Sequence, residues 1–142
     1  MPSKVHIGTG EILEGQDAVI MHRLYMPDGN AVTQSNTTGD NVTMFVFDMD
    51  HPTRPDEIIS TQTFTRTSVI YNNLQTDGYW TVDGTGYNFR CTAPYETNTS
   101  NTGVDYKGGH RYRHEFQVTS TSPDFGEVKW VSIITVVDLS AI

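Results

Sequence analysis

Apolar and polar residues alternate along most of the chain in short runs, and this pattern predicts β-strands. No window of a dozen residues keeps the i, i+3, i+4, i+7 spacing of an amphipathic helix. The alternation is clearest over 110–119, where one predicted face carries Tyr112, His114, Phe116 and Val118. Strand and turn signals recur at short intervals, as they do in a sandwich or a barrel. The sequence therefore predicts an all-β fold.

The predicted strands are separated by turns rich in Gly, Pro, Asp and Asn. They cover residues 17–25, 31–34, 42–49, 57–67, 68–74, 86–93, 110–119 and 127–137. The last of them is apolar on both faces, which predicts a central position in a sheet or pairing with another subunit. We expect an immunoglobulin-like or jelly-roll-like antiparallel β-sandwich of about eight strands.

Two segments fall outside this strand pattern. Residues 1–16 are polar and contain three glycines, so we predict an N-terminal arm that is flexible or adds a strand to a neighbour, followed by a single sandwich domain over 17–142. Residues 95–109 form a long polar loop, and loops of this length are usually functional or disordered.

Composition and charge exclude several classes of protein. The 142 residues carry a formal net charge of −8, which opposes binding to nucleic acid through charge. Cys91 is the only cysteine, so the chain has no internal disulfide and no Cys-based zinc site, and we expect it to be buried. No apolar run is long enough to span a membrane, and the first residues lack the apolar core of a signal peptide.

One short motif points to catalysis. The apolar run 44–47 ends in Asp48-x-Asp50, which resembles the first motif of haloacid-dehalogenase-like phosphatases. That resemblance implies a nucleophilic and an acid/base aspartate with Mg²⁺. The chain continues with His51-Pro52 where that family has Gly-Thr, and the sequence shows none of the helices that the family needs. We interpret the motif as a core strand that runs into an acidic turn, and we predict no catalytic residue and no cofactor.

The histidines predict no metal site. His110 and His114 point to the same side of one strand, but residues four apart on a strand are about 13 Å apart and do not share a metal ion. Since His114 belongs to an inward-facing row, we expect it to be buried with its polar atoms satisfied.

Aromatic residues cluster between positions 79 and 89 and leave two interpretations open. If Tyr79, Trp80 and Tyr87 are exposed, they form a stacking platform for a sugar ring. If they are buried, they belong to the sandwich core, with Trp80 or Trp130 at its centre. The sequence favours burial.

Four segments together carry a resemblance to a known group of proteins. Residues 23–29, 46–50, 74–90 and 108–116, followed by the long final strand, resemble small all-β virion structural proteins of tailed bacteriophages. The early part resembles the immunoglobulin-like modules that phages attach to capsids, tails and baseplates. His51-Pro52 and the long loop over 95–109 depart from that pattern.

The resemblance implies a capsid decoration, or cement, protein of the virion, which assembles in the host cytoplasm. Its partners would be the major capsid protein and copies of itself, as a trimer, with no nucleic acid and no membrane. The N-terminal arm and the final strand would supply the contacts, through Val5, Ile7, Ile12, Leu13, Val131, Ile133 and Val137. The alternatives are a tail, neck or baseplate accessory protein, and a carbohydrate-binding module that uses Tyr79, Trp80 and Tyr87.

Overall fold

The computed structural model describes residues 6–97 and 103–141, and their elements are almost all strands. The strands are β1 (His6–Leu13), β2 (Ala18–His22), β3 (Thr37–Asp48), β4 (Ile58–Thr65), β5 (Ile70–Gln75), β6 (Tyr87–Ala93), β7 (Arg111–Ser120) and β8 (Glu127–Val137). A single helical turn, α1 (Arg66–Val69), joins β4 to β5, and a 3₁₀ turn covers Leu139–Ala141.

The strands form two sheets, as the sequence predicts. The larger sheet has the order β1-β8-β7-β3-β4 and the smaller one the order β2-β6-β5. Every strand pair is antiparallel except β1 with β8, which is parallel. The predicted all-β sandwich of about eight strands is confirmed, and β8 lies inside the larger sheet, between the edge strand β1 and the middle strand β7.

The core lies between the two sheets and is aromatic at its centre. Phe89 of β6 packs edge-on against Phe116 of β7 and Trp130 of β8, with ring centroids 5.0 Å and 4.9 Å apart. Trp130 is 0% exposed, so it is the tryptophan at the centre of the core. The predicted inward row of β7 is confirmed, since its members are all buried: Tyr112, His114, Phe116 and Val118.

The N-terminal segment differs from the predicted arm. Residues 6–13 form β1, which pairs with β8 of the same chain along its whole length. Gly8 faces the His22 ring so closely that a Cβ there would lie 2.7 Å from His22 Cε1, and a Cβ on Gly10 would lie 3.2 Å from Ile134 Cδ1. These glycines therefore allow close packing within the chain, whereas the sequence predicted an arm that is flexible or adds a strand to a neighbour. Val5 lies outside the described residues.

One predicted strand is absent from the structure. Residues 31–34 contribute only an isolated bridge between Tyr25 and Ala31. The side chain of Asn88 forms hydrogen bonds with backbone groups of Leu24 and Val32, which a partner strand would otherwise use. Conversely, β3 begins at Thr37, inside a predicted loop, because Thr37 and Thr38 pair with the end of β7.

The segment predicted as a long loop over 95–109 is partly packed in the described residues. Tyr95 and Val104 form a bridge, and Val104 and Tyr106 are buried. The hydroxyl of Tyr106 lies 2.8 Å from Nε2 of His114 inside the core. The described part of this segment is thus a component of the core, and residues 98–102 lie outside the described part of the chain.

Candidate binding surfaces

The larger sheet turns an apolar surface away from the core. We call this surface the outer face, and its apolar members are Leu13, Phe45, Phe47, Ile58, Val131, Ile133 and Val137. The strand register sets them in rows: Phe45 and Val131 flank Glu115, and Phe47 and Ile133 flank Arg113. The middle strand β7 contributes polar side chains to this face, among them Arg113, Glu115 and Gln117, so the apolar residues lie on the strands at either side of it.

A shallow depression of about 300 Å³ lies on the outer face. Phe45, Ile58 and Val131 line it together with polar side chains, and Ile58 is 52% exposed. The Arg113 guanidinium lies 4.4 Å from the centre of the Phe47 ring and 3.6 Å from the Glu115 carboxylate. The outer face therefore combines apolar side chains with one ion pair at its centre.

The predicted contact residues divide between the two sides of the sheet. Val131, Ile133 and Val137 are half-buried on the outer face, and Leu13 pairs with Val137 and is 38% exposed. Ile7 is in register with Val131. Ile12 instead packs against the core, because alternation along β1 turns it to the opposite side from Leu13.

The aromatic cluster of residues 79–89 is divided between surface and interior. Tyr79 is 67% exposed, Trp80 is half-buried, and Tyr87 and Phe89 are buried. Phe89 belongs to the central core. Tyr87 is covered separately, by Trp80 and Tyr71, at centroid distances of 5.7 Å and 5.8 Å. The prediction that this cluster is buried therefore holds for Tyr87 and Phe89 and is wrong for Tyr79.

Arg90 fixes the orientation of the exposed ring. Its guanidinium carbon lies 4.6 Å from the centre of the Tyr79 ring, which is cation–π geometry. We call Tyr79 and Trp80, with the charged side chains of Arg23, Asp77, Asp83 and Arg90 around them, the loop platform.

Two aspartates hold the loop platform in shape. Asp83 accepts hydrogen bonds from Trp80 Nε1 at 2.9 Å and from an Arg23 guanidinium nitrogen at 2.7 Å. It also accepts the backbone N–H groups of Thr85 and Gly86, and the Trp80 and Arg23 bonds hold the pKa of its carboxyl well below the usual range. The loop is therefore built around a carboxylate that stays ionised.

Asp77 makes the second set of bonds. The Tyr87 hydroxyl donates to Asp77 at 2.6 Å, and the Tyr79 N–H donates to its other oxygen at 3.0 Å. The bond from Tyr87 lowers the pKa of Asp77, and burial raises the pKa of the Tyr87 phenol. Gly86 closes the loop with φ +104°, and a Cβ there would collide with the carbonyl of Gln75.

The four charged members of the loop platform were not found by sequence reasoning. Asp77-Gly78 and Asp83-Gly84 were interpreted only as turn signals. An aspartate that precedes glycine often accepts hydrogen bonds from backbone N–H groups of its own turn. The two Asp-Gly pairs were therefore the available signal that both aspartate side chains point into the loop. Arg23 lies 60 residues away from its partner Asp83, and no local pattern predicts that contact.

The two aspartates of the phosphatase-like motif bind different partners. Asp48 is buried, and both its oxygens lie within 3.0 Å of His110 Nδ1. Asp50 accepts three hydrogen bonds from Arg111, one of them from the backbone, and these bonds lower its pKa. Both carboxylates are thus engaged at the end of a core strand, and no local pattern in the sequence indicates the Asp48–His110 pair.

His114 and Cys91 are buried as predicted, but the expectation that all polar atoms of His114 are satisfied is wrong. Its Nε2 lies 2.8 Å from the Tyr106 hydroxyl, whereas its Nδ1 has no hydrogen-bond partner within the described residues. Complete burial lowers the pKa of His114 to about 4, and burial raises the pKa of the Cys91 thiol. A thiol that is kept protonated in this way is a poor nucleophile.

Residues 6–97 and 103–141 contain no group of three or more His, Cys, Asp or Glu side chains arranged to hold a metal ion. No helix within this described part of the chain is long and apolar enough to cross a membrane. No family model, no curated protein and no solved structure matches the chain.

Proposed function

We propose that this protein is a capsid decoration protein of a tailed bacteriophage, which binds the capsid shell and copies of itself through the outer face. The observation that carries the proposal is the apolar surface of the larger sheet. Phe45, Val131 and Ile133 are half-buried on three-strand rows of that surface, with Glu115 and Arg113 between the apolar side chains. Apolar patches bordered by polar residues mark sites of protein–protein contact.

The resemblance of residues 23–29, 46–50, 74–90 and 108–116 to phage virion structural proteins supplies the biological context. The physical properties of the chain agree with that context. Capsid binding needs a stable scaffold and a specific contact surface, and it needs no cofactor. The net charge of −8 keeps a protein soluble and disfavours contact with DNA.

The ion pair within the outer face gives the contact specificity. Arg113 and Glu115 sit between apolar residues of the neighbouring strands, and Arg113 also covers the Phe47 ring. Charges embedded in an apolar interface select partners of complementary charge and fix the register of binding. The capsid surface that fits this face is therefore apolar with at least one charged group of each sign.

The test combines light scattering with sedimentation. We expect the purified chain to form a trimer and to pellet with empty capsids from the phage whose genome encodes it. Val131→Glu places a charge in the middle of the outer face and should abolish pelleting. Val19→Glu is the matched control, because Val19 is an exposed strand valine on the smaller sheet.

Two results would overturn the proposal. One is a monomer that stays in the supernatant when the capsids are pelleted. If the protein instead pellets with tails or baseplates, it is an accessory protein of those structures. The other is equal loss of capsid binding in the Val131→Glu and Val19→Glu variants, because the outer face would then have no special role. Circular dichroism of both variants separates misfolding from loss of contact.

A further inference from the structure

We propose that the loop platform is a carbohydrate-binding site, in which the exposed face of Tyr79 stacks on a sugar ring and the surrounding charged groups bind its hydroxyls. The site lies on the smaller sheet and its β5–β6 loop, whereas the proposed capsid contact uses the larger sheet. The inference is therefore independent of the proposed function.

The Tyr79 ring is open on one side only. Arg90 covers one face at 4.6 Å, and the side chain is nevertheless 67% exposed. A large, rigid ring that a guanidinium covers on one face and that is otherwise exposed presents a flat apolar surface to solvent. The C–H faces of a pyranose ring are the complementary flat apolar surface, and aromatic side chains with a polar tip suit such half-wet contacts.

The platform is ordered before any ligand arrives. Asp77 binds the Tyr79 N–H, and Asp83 binds the Trp80 indole and closes the turn through Gly86. These bonds fix the two aromatic residues without using the open face of Tyr79. A site held in its bound geometry loses less conformational entropy on binding, which matters for ligands that bind as weakly as single sugars.

Polar groups at the rim remain able to bind hydroxyls. The Arg23 and Asp83 side chains are 25% and 33% exposed although they are paired with each other. Oδ2 of Asp83 accepts the Arg23 bond at 2.7 Å, and a carboxylate oxygen accommodates two donors. A sugar hydroxyl that reaches this pair donates to Asp83 and accepts from Arg23, which is the usual division of roles around a neutral polar ligand.

Charge and size favour a sugar over the other ligands that stack on aromatic rings. Single-stranded nucleic acid also stacks on tyrosine, but it needs a basic groove, and here two aspartates balance the two arginines. A protein partner needs roughly 800 Å² of surface per side. The platform offers one open ring and one half-buried indole, which suits one or two sugar rings.

The position of the two tryptophans makes binding measurable. Trp80 lies next to Tyr79 in the platform, and Trp130 is wholly buried between the sheets. We would titrate the protein with maltohexaose, cellohexaose and chitohexaose and record tryptophan emission and calorimetric heat. We expect a saturable change in emission with at least one of the three, and we expect Trp80→Phe to remove the optical signal.

Variants of Tyr79 decide the role of the ring. Tyr79→Ala should weaken binding about tenfold or more, the usual loss when a central aromatic anchor is truncated. Tyr79→Phe keeps the stacking face and should bind within about threefold of the native chain, which is less than 1 kcal/mol. Leu139→Ala removes an apolar side chain that is 49% exposed in the C-terminal 3₁₀ turn, outside the loop platform, and should leave oligosaccharide binding unchanged.

The proposal is overturned if none of the three oligosaccharides gives saturable heat or emission change at millimolar concentration. It is equally overturned if Tyr79→Ala binds as tightly as the native chain. Because Tyr79 is exposed, the Ala variant should fold, and Tyr79→Phe provides a second variant whose fold is not in question. Capsid pelleting is measured in parallel on the same variants. Because it does not depend on oligosaccharide binding, the failure of one proposal is distinguished from the failure of the other.

Discussion

Asn88 holds Leu24 through both of its backbone groups. The Leu24 N–H donates to Asn88 Oδ1 at 2.7 Å, and Asn88 Nδ2 donates to the Leu24 carbonyl at 2.8 Å. The same Nδ2 donates to the Val32 carbonyl at 2.9 Å. One buried side chain of β6 thus satisfies the backbone of a segment that does not continue as a strand, where backbone groups without partners would cost free energy.

Replacing this amide should destabilise the whole domain. Asn88→Ala leaves the Leu24 N–H and the Val32 carbonyl without these partners, whereas the Leu24 carbonyl still accepts the Val32 N–H. We expect the free energy of unfolding to fall by about 2–4 kcal/mol. Urea denaturation followed by circular dichroism measures the change. Asn73→Ala is the control, because Asn73 is an exposed asparagine on the neighbouring strand β5. A loss of less than about 0.5 kcal/mol in Asn88→Ala would contradict the role assigned to Asn88.

The contact between Gly8 and His22 gives a second prediction. Gly8 is in register with Ser132, whose hydroxyl lies 2.5 Å from His22 Nε2, so a methyl group at Gly8 would displace the ring or β1. We expect Gly8→Ala to lower the free energy of unfolding by about 1–3 kcal/mol, as overpacking does. Gly78→Ala, where no atom lies within 4 Å of the new Cβ, serves as the control in thermal unfolding. Equal melting temperatures for the two variants would show that β1 is not held closely against His22.

His114 makes the stability of the domain depend on pH. Burial lowers the pKa of His114 from its ordinary value of 6.5 to about 4 in the folded chain. Between these two pH values the unfolded chain therefore binds a proton that the folded chain does not. Stability should therefore be complete above about pH 6.5 and decrease as the pH falls toward 4, by roughly 3 kcal/mol in total.

Urea denaturation at pH 7 and pH 5 tests this dependence. His114→Leu removes the titrating group and leaves the Tyr106 hydroxyl without its partner, so we expect it to be less stable at pH 7 and to lose less stability between the two pH values. A native chain whose unfolding free energy is the same at both values would refute the prediction. So would a His114→Leu variant with the native pH dependence.

The fold was predictable where side-chain alternation is strong and burial is one-sided. Tyr112 and Phe116 on β7 and the two apolar faces of β8 predicted an inward row and a strand inside a sheet, and both are present. Alternation works here because the register of a strand is fixed by which face meets the core. Residues 31–34 show its limit, since the distant Asn88 takes the place of a partner strand.

The candidate sites were less predictable, because they depend on contacts between distant residues. Glycines look the same in a sequence whether they make a segment flexible or allow close packing. At positions 8 and 10, close packing is shown only by the neighbouring side chains of His22 and Ile134. In the same way, the sequence located the aromatic residues near position 80 but not the Arg23–Asp83 contact that orders them. Pairs 60 residues apart leave no local pattern in a single sequence.

The order of the loop platform should depend on Asp83. Asp83→Ala removes the acceptor of the Trp80 indole, the Arg23 guanidinium and the backbone N–H groups of Thr85 and Gly86. We expect faster amide hydrogen exchange at Thr85 and Gly86 and a red-shifted tryptophan emission, while exchange in the core strands stays slow, because the loop unfolds locally.

Asp124→Ala is the matched control for this change. Asp124 is an exposed aspartate in the β7–β8 turn, at a distance in sequence from the loop platform, and its removal should leave exchange at Thr85 and Gly86 as it is in the native chain. If Asp83→Ala also leaves those two amides unchanged, Asp83 does not order the loop. In that case the open ring of Tyr79 would owe its position to Arg90 and Asp77, and the carbohydrate site would rest on those two side chains alone.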